Sequence, residues 1–183
     1  MSGHGGRLLV ATPLIGDPHF ERTVVLLLAH SPAGAYGVVL NRPTDVPVVE
    51  VAPAWSTLVS APGVVFVGGP VDQEATIGLV LAGDRSATGP FEVVAGPAAV
   101  VDLQESPERH AGPVDGLRVF AGSAGWAPGQ LEDELGDGAW WPVDAEPGDL
   151  VLEEPQRLWA RVLRRQPGEV AWFANHPPDP SAN

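Results

Sequence analysis

The apolar residues of this chain come in short runs rich in Val, Ile and Leu, and most runs end at a glycine or a proline. Such runs, bounded by turn residues, are typical of buried β-strands. The run at 23–30 is continuously apolar, so we expect burial on both faces of a sheet. The turn residues at 31–34 predict an antiparallel hairpin with a loop of about four residues. In all, the pattern predicts strands at 7–12, 23–30, 35–41, 63–69, 76–83, 91–96 and 117–122.

Helical patterns are fewer. They predict helices over 128–136 and 155–166, and a short helix beginning near Pro53. Because strands and helices do not alternate strictly, the order favours an α+β fold over a doubly wound sheet. A chain of 183 residues fits one compact domain. We place that domain at 7–176, between polar tails at 1–6 and 177–183 that we expect to be disordered.

Composition excludes several chemistries. All ten basic residues are arginine, which argues against P-loop and pyridoxal phosphate proteins, because both need a lysine. The absence of cysteine excludes disulfides, thiolate metal sites and cysteine nucleophiles. A net charge of −13 disfavours direct nucleic-acid binding, which depends on basic side chains. We therefore expect no cofactor and no direct contact with nucleic acid.

The chain shows no export signal and no membrane-length apolar stretch. Its longest apolar run, residues 24–29, has six residues, whereas a spanning helix needs roughly 18 or more. The N-terminal residues lack a basic region followed by an apolar core. The expectation is a cytoplasmic protein that does not contact the membrane.

The sequence Ala-Gly-Ser-Ala-Gly at 121–125 is close to the Gly-x-Ser-x-Gly elbow of many hydrolases. Ser123, then Asp144 or Asp149, then His176 follow the chain order of a hydrolase triad. An elbow, however, needs a helix directly after the serine, and Pro128 places the predicted helix start later. We interpret these small residues as a tight backbone turn and keep a serine hydrolase as an alternative.

Two polar segments carry groups of the kinds that bind a metal ion or an anion. Asp17, His19 and Glu21, with His30 beyond them, carry metal-binding groups, but their spacing fits no metal motif, and a polar loop is the simpler interpretation. The glycines at 68 and 69 either form an anion-binding nest or allow the chain to pass close to a neighbouring strand; we favour the second.

Arg22 directly precedes the strand at 23–30, and Asn41 and Arg42 directly follow the strand at 35–41. In an antiparallel hairpin these groups emerge at the same end, where they form either a polar pocket or a set of structural bonds. A second basic group lies on the final predicted helix, as a solvated face or as a site for an acidic partner: Arg157, Arg161, Arg164 and Arg165. Trp126, Trp140 and Trp141 are expected to pack the helix at 128–136 onto the sheet.

The residues at 6–44, 63–71 and 119–143 resemble the signature blocks of the bacterial AlgH/YqgE family. The matching motifs are Asp-Pro-x-Phe-x-Arg, Leu-Asn-Arg-Pro, Gly-Gly-Pro-Val and Ala-Gly-Trp-x-x-Gly-Gln-Leu-Glu. The resemblance implies a compact domain with a mainly antiparallel branched or barrel-like sheet, flanked by a few helices. It implies no known reaction, cofactor or catalytic residue, although some members are labelled transcriptional regulators linked with alginate production. Ser123 stands where the family pattern usually has tyrosine, which argues against a shared serine nucleophile.

The expected function is therefore non-catalytic, through binding of a protein partner or a small ligand. Transcriptional regulation by indirect action is an alternative. The candidate surface comprises Asp17, Phe20, Arg22, Asn41, Arg42, Gly68, Gly69 and Trp126.

Overall fold

The computed structural model describes residues 3–83, 94–109 and 114–175. They form one α+β domain built on a curled, mainly antiparallel sheet, which confirms the predicted fold class. The strands are β1 Leu8–Ala11, β2 Val24–Ser31, β3 Gly34–Val39, β4 Pro43–Pro47, β5 Val64–Val67, β6 Val71–Leu81, β7 Val94–Ala95, β8 Ala98–Val101, β9 Arg118–Trp126 and β10 Trp140–Val143. The α-helices are α1 Gln130–Gly136, α2 Pro147–Leu150 and α3 Leu158–Arg164. Short 3-10 helices occupy Val48–Glu50, Pro53–Trp55, Pro107–Arg109, Pro155–Arg157 and Gly168–Asn175.

The main sheet runs in the order β10, β1, β2, β3, β9, β6, β8, β7. Strand β9 gives it a branch. On one edge, the first half of β9 pairs in parallel with β5 and its last residues pair with β3. On its other edge, residues 118–123 of β9 pair with β6. Strand β4 extends the branch by pairing with β5. The branched sheet that the family resemblance implied is therefore present.

Both faces of the sheet are buried, as the continuous apolar run at 23–30 predicted. Along β2, Leu26 packs into the cluster covered by α3, whereas its neighbour Leu27 packs into the cluster covered by α1. The 3-10 segment around Trp55 covers a third cluster, beside β6, β8 and β9. Alternate side chains of one strand thus supply two cores.

Several element predictions need correction. The hairpin between β2 and β3 forms, but its loop contains two residues rather than about four. The predicted helix over 155–166 begins as a 3-10 turn and becomes α-helical only at Leu158. The predicted helix near Pro53 is a single 3-10 turn. Of the predicted strand at 91–96, residues 91–93 lie outside the described parts of the chain.

The domain limits stay a prediction. Residues 3–6 contact the sheet through backbone bonds such as Gly6 N–H to Leu27 O at 2.8 Å, and residues 177–183 lie outside the described ranges.

Candidate ligand-binding site

Ser123 lies inside β9, not on an elbow and not in a tight turn. It pairs with Val71 of β6, and β9 continues as strand to Trp126, so both interpretations of Ala-Gly-Ser-Ala-Gly were wrong about the local structure. Within the described residues the Ser123 hydroxyl makes no hydrogen bond to a histidine, and His176 lies outside them. The small residues serve the branch, because β9 exchanges its β5 partner for β3 around Gly122.

Gly68 and Gly69 are the residues that come closest to this branch. The Gly68 N–H donates to Ala121 O at 2.8 Å, and its carbonyl accepts from Val39 N–H at 2.7 Å. A Cβ added to Gly69 would overlap the backbone of Ser123. Gly69 also has a φ of +154°, which side-chain-bearing residues rarely adopt. The close approach that we favoured for these glycines is present.

The loop at 17–21 is folded by its own turns. The Asp17 carboxylate accepts the His19 N–H at 2.9 Å, and the Asp17 carbonyl accepts the Phe20 N–H at 3.0 Å. The loop directs Asp17 and Phe20 into one cavity and His19 into another. Two cavities therefore flank one short segment.

The first of them, the aromatic cavity, has a volume of about 260 Å³, and its walls include Asp17, Phe20, Trp126, Glu134 and Trp140. One carboxylate oxygen of Glu134 accepts both indole N–H groups, from Trp126 at 2.9 Å and from Trp140 at 2.8 Å. Phe20 packs edge-on to Trp140, with ring centroids 5.5 Å apart. The predicted packing of Trp126 and Trp140 between α1 and the sheet is confirmed. Trp141 instead packs on the other face, against Phe173.

The second, the arginine cavity, has a volume of about 180 Å³ and lies between the 17–21 loop, the start of β4 and the segment between β5 and β6. Polar groups from His19, Arg42 and Gln73 line it, with Gly69 and Pro70 beside them. One Nη of Arg42 donates to the Glu21 carbonyl at 2.8 Å. None of the described residues lining this cavity is acidic.

Two predicted surface residues, Arg22 and Asn41, make structural contacts. The Asn41 carboxamide joins the ends of β2 and β3, accepting from Val24 N–H at 3.0 Å and donating to the Arg22 carbonyl at 2.9 Å. The Arg22 guanidinium carbon lies 4.4 Å from the ring centroid of Trp159, which is a cation–π distance. The polar end of the hairpin therefore contains both structural bonds and, at Arg42, a cavity.

His30 interacts with the imidazole-bearing residue His4 and not with the 17–21 loop. Its Nδ1 accepts the His4 N–H at 3.0 Å, so its proton lies on Nε2, which donates to Glu132 at 2.9 Å. The described residues hold no group of three or more His, Cys, Asp and Glu side chains suited to a metal ion.

Two of the four arginines near α3 are paired with carboxylates. Arg165 makes two 2.7 Å bonds to the fully buried carboxylate of Asp149, and these bonds raise the pKa of Arg165. Arg157 pairs with Glu154 at 2.6 Å. The solvated face paired with Glu154 is therefore observed at Arg157, whereas Arg165 is half-buried against Asp149.

Part of the site was missed from the sequence. Glu134 could have been found, because two buried indoles each need an acceptor and the acidic first half of α1 lies between them in the chain. Gln73 had no such signal, because the beginning of β6 was predicted five residues too late.

Comparison with known proteins agrees with this architecture. A profile of the AlgH-like family matches residues 8–171. The chain belongs to the AlgH-like family. A UPF0301 protein of Streptomyces coelicolor is 52% identical over 183 residues, covering 97% of this chain and 94% of the relative. A UPF0301 protein of Thermobifida fusca is 42% identical over 187 residues, with coverage of 97% and 94%.

Two solved structures share the fold. The crystal structure of a Corynebacterium diphtheriae protein has a TM-score of 0.86 and 34% identity, covering 95% of this chain and 92% of that one. The solution structure of the AlgH protein from Pseudomonas aeruginosa has a TM-score of 0.64 and 29% identity, covering 91% and 96%. The family assignment expected from the motifs is confirmed. In the described part of the chain, no helix has the length and apolar character needed to span a bilayer.

Proposed function

We propose that this protein acts by binding a small ligand or a protein partner, without catalysis, at the two cavities beside the 17–21 loop. The observation that carries the proposal is the placement of five predicted surface residues in the walls of these cavities. Asp17, Phe20 and Trp126 line the aromatic cavity; Arg42 and Gly69 line the arginine cavity. Concave sites with a few convergent polar groups are where proteins usually bind small molecules.

Binding is favoured over hydrolysis by the surroundings of Ser123. An activated serine needs a base within hydrogen-bonding distance and an exposed position after a strand. Ser123 lies in the middle of a paired strand instead, and no described histidine contacts it. A fluorophosphonate probe should therefore leave the protein unlabelled; labelling that disappears in Ser123→Ala would establish the hydrolase alternative.

A role in transcription would have to be indirect. The net charge of −13 opposes a phosphate backbone, so we propose that any regulatory effect passes through a protein or a ligand. A gel-shift assay at physiological salt should show no sequence-specific complex with the purified protein.

The binding proposal is tested by thermal-shift measurements against a panel of small metabolites. Arg42→Ala is the informative variant, because Arg42 has no ion pair within the described residues. Arg109→Ala is the matched control: it removes the same charge from an exposed position that lines neither cavity. A compound that stabilises the wild type and Arg109→Ala but not Arg42→Ala would support binding at the arginine cavity. Equal responses from all three proteins would exclude Arg42 as a binding residue, and no response from the whole panel would contradict small-ligand binding at either cavity.

A further inference from the structure

We propose that the arginine cavity binds a small oxyanion, namely a carboxylate or phosphate group of a small molecule, and that Arg42 is its main binding residue. This inference rests on the proposed binding function and names the chemistry of the ligand.

Arg42 makes no ion pair within the described residues. Across this part of the chain, no carboxylate lies within 4.0 Å of its guanidinium, whereas Arg7, Arg157 and Arg165 each have an acidic partner. Arg161 also makes no ion pair there, but the cavity that it lines contains Glu153 and Glu154. The chain carries 23 acidic and 10 basic side chains, so partners for arginines are abundant. An arginine that lines a cavity without such a partner retains N–H donors for an incoming anion.

The Arg42 side chain is already oriented. Its own carbonyl accepts the Val67 N–H at 2.8 Å, which attaches its backbone to the end of β5. At the other end, one Nη is bonded to the Glu21 carbonyl at 2.8 Å. Both restraints exist before any ligand arrives, so little side-chain entropy remains to be lost on binding. A guanidinium also matches the planar geometry of carboxylate and phosphate oxygens.

The surroundings suit an anion of small size. A volume of about 180 Å³ equals roughly six water molecules at ~30 Å³ each, enough for an anionic group and a short attachment. The His19 imidazole has an N–H donor in either protonation state, and the Gln73 carboxamide has two. Val39, Val67 and Pro70 add apolar surface beside the guanidinium, against which the rest of a small ligand can pack.

The test is a titration of ¹⁵N-labelled protein with sodium phosphate and, separately, with sodium acetate, followed by NMR of the backbone amides. Sodium chloride at the same ionic strength is the reference. We expect saturable shifts at the amides of Arg42, Gly69 and Gln73 with phosphate, with acetate, or with both. Removing a charge-assisted bond should weaken this binding about tenfold or more in Arg42→Gln. Arg109→Gln, at an exposed position with the same change of charge, should bind as the wild type does.

The outcomes separate the two ligand sources. Saturation with phosphate alone identifies a phosphate group, and saturation with acetate alone identifies a carboxylate. Shifts that do not saturate, that chloride reproduces, or that persist unchanged in Arg42→Gln would overturn the oxyanion assignment. If Arg42→Gln loses the native spectrum, Arg42→Lys replaces it; that variant retains the charge without the planar fork and should bind with an affinity below the wild type.

Failure of this inference is distinguishable from failure of the proposed function. A neutral metabolite whose thermal shift depends on Arg42, combined with no saturable response to phosphate or acetate, would refute the oxyanion and leave ligand binding intact. The absence of both responses would refute both.

Discussion

The two cavities share the 17–21 loop but differ in how their polar groups are bonded. In the aromatic cavity, Glu134 accepts hydrogen bonds from two tryptophans and from Gln130, so its carboxylate is occupied by neighbours in the fold. In the arginine cavity, Arg42 makes one bond to a carbonyl and no ion pair within the described residues. Polar groups bonded to one another hold a structure together, whereas polar groups with remaining donors are available to a ligand. Glu134 is therefore held by structural bonds, whereas Arg42 retains the donors on which the binding proposal rests.

The largest expected effect extends this comparison to a third polar group, the pair of Arg165 and Asp149. Asp149 is fully buried and also accepts the Glu146 N–H at 2.8 Å, so its loss leaves several donors unpaired. Asp149→Ala should lower the free energy of unfolding by about 3 kcal/mol in urea denaturation. Glu154→Ala breaks an exposed pair and should change it by less than about 0.5 kcal/mol. Similar losses of unfolding free energy in both variants would show that burial does not determine how much Asp149 and Glu154 contribute to stability.

The next effect concerns the aromatic cavity. Glu134→Ala leaves the indole N–H groups of Trp126 and Trp140 without their acceptor, and both side chains are buried. We expect a loss of about 2 kcal/mol by urea denaturation, because each unsatisfied buried donor costs roughly 1–3 kcal/mol and some relaxation is expected. Asp133→Ala, an exposed neighbour on α1, is the control and should be nearly neutral. Unchanged phosphate or acetate binding in Glu134→Ala would support separate roles for the two cavities. A native-like free energy of unfolding in this variant would contradict the structural role of Glu134.

Two arginines at the same end of the hairpin should differ more modestly. Arg22→Ala removes the contact with Trp159 and should cost about 1 kcal/mol. Arg42→Ala should change the free energy of unfolding by less than about 0.5 kcal/mol while impairing ligand binding. Chemical denaturation of both variants measures the difference. A larger loss of unfolding free energy for Arg42→Ala than for Arg22→Ala would show that Arg42 has a structural role.

The smallest effect is a pH dependence at the His4 and His30 pair. Burial, with the charge of Arg7, lowers the pKa of His4 from its usual 6.5. The folded protein therefore holds this proton less tightly than the unfolded chain does. Its contribution to stability is complete above the unfolded pKa and is lost as the pH falls from about 6.5 toward the lowered value. Between about pH 7 and pH 5, His4→Gln should lose stability less steeply than the wild type. Parallel slopes would show that His4 makes no such contribution.

Much of the fold could be predicted from local patterns, because strands such as β2 are long apolar runs with clear turn residues at their ends. The branch could not, because it depends on β9 changing partners, and pairing between distant strands has no signature in the residues of one strand. Strands β4 and β10, neither of them predicted, contain prolines, which are uncommon inside strands. Both pair on one edge with a single neighbour, where a missing N–H is tolerated.

The candidate site was predictable in part for a similar reason. The hairpin register placed Arg22, Asn41 and Arg42 at one end, as observed. The structural role of Arg22 could not be predicted, because it depends on Trp159, which approaches from a distant helix. Residues adjacent in a predicted hairpin can thus have different roles, and only tertiary contacts separate them.

The approach of residues 68 and 69 to β9 also limits how this protein can vary. Position 123 takes part in the pairing through its backbone. Position 69 has no space for even one methyl group. A relative with a side chain at position 69 would have to separate the 68–69 segment from β9. The arginine cavity, which Gly69 lines, would change shape as a result.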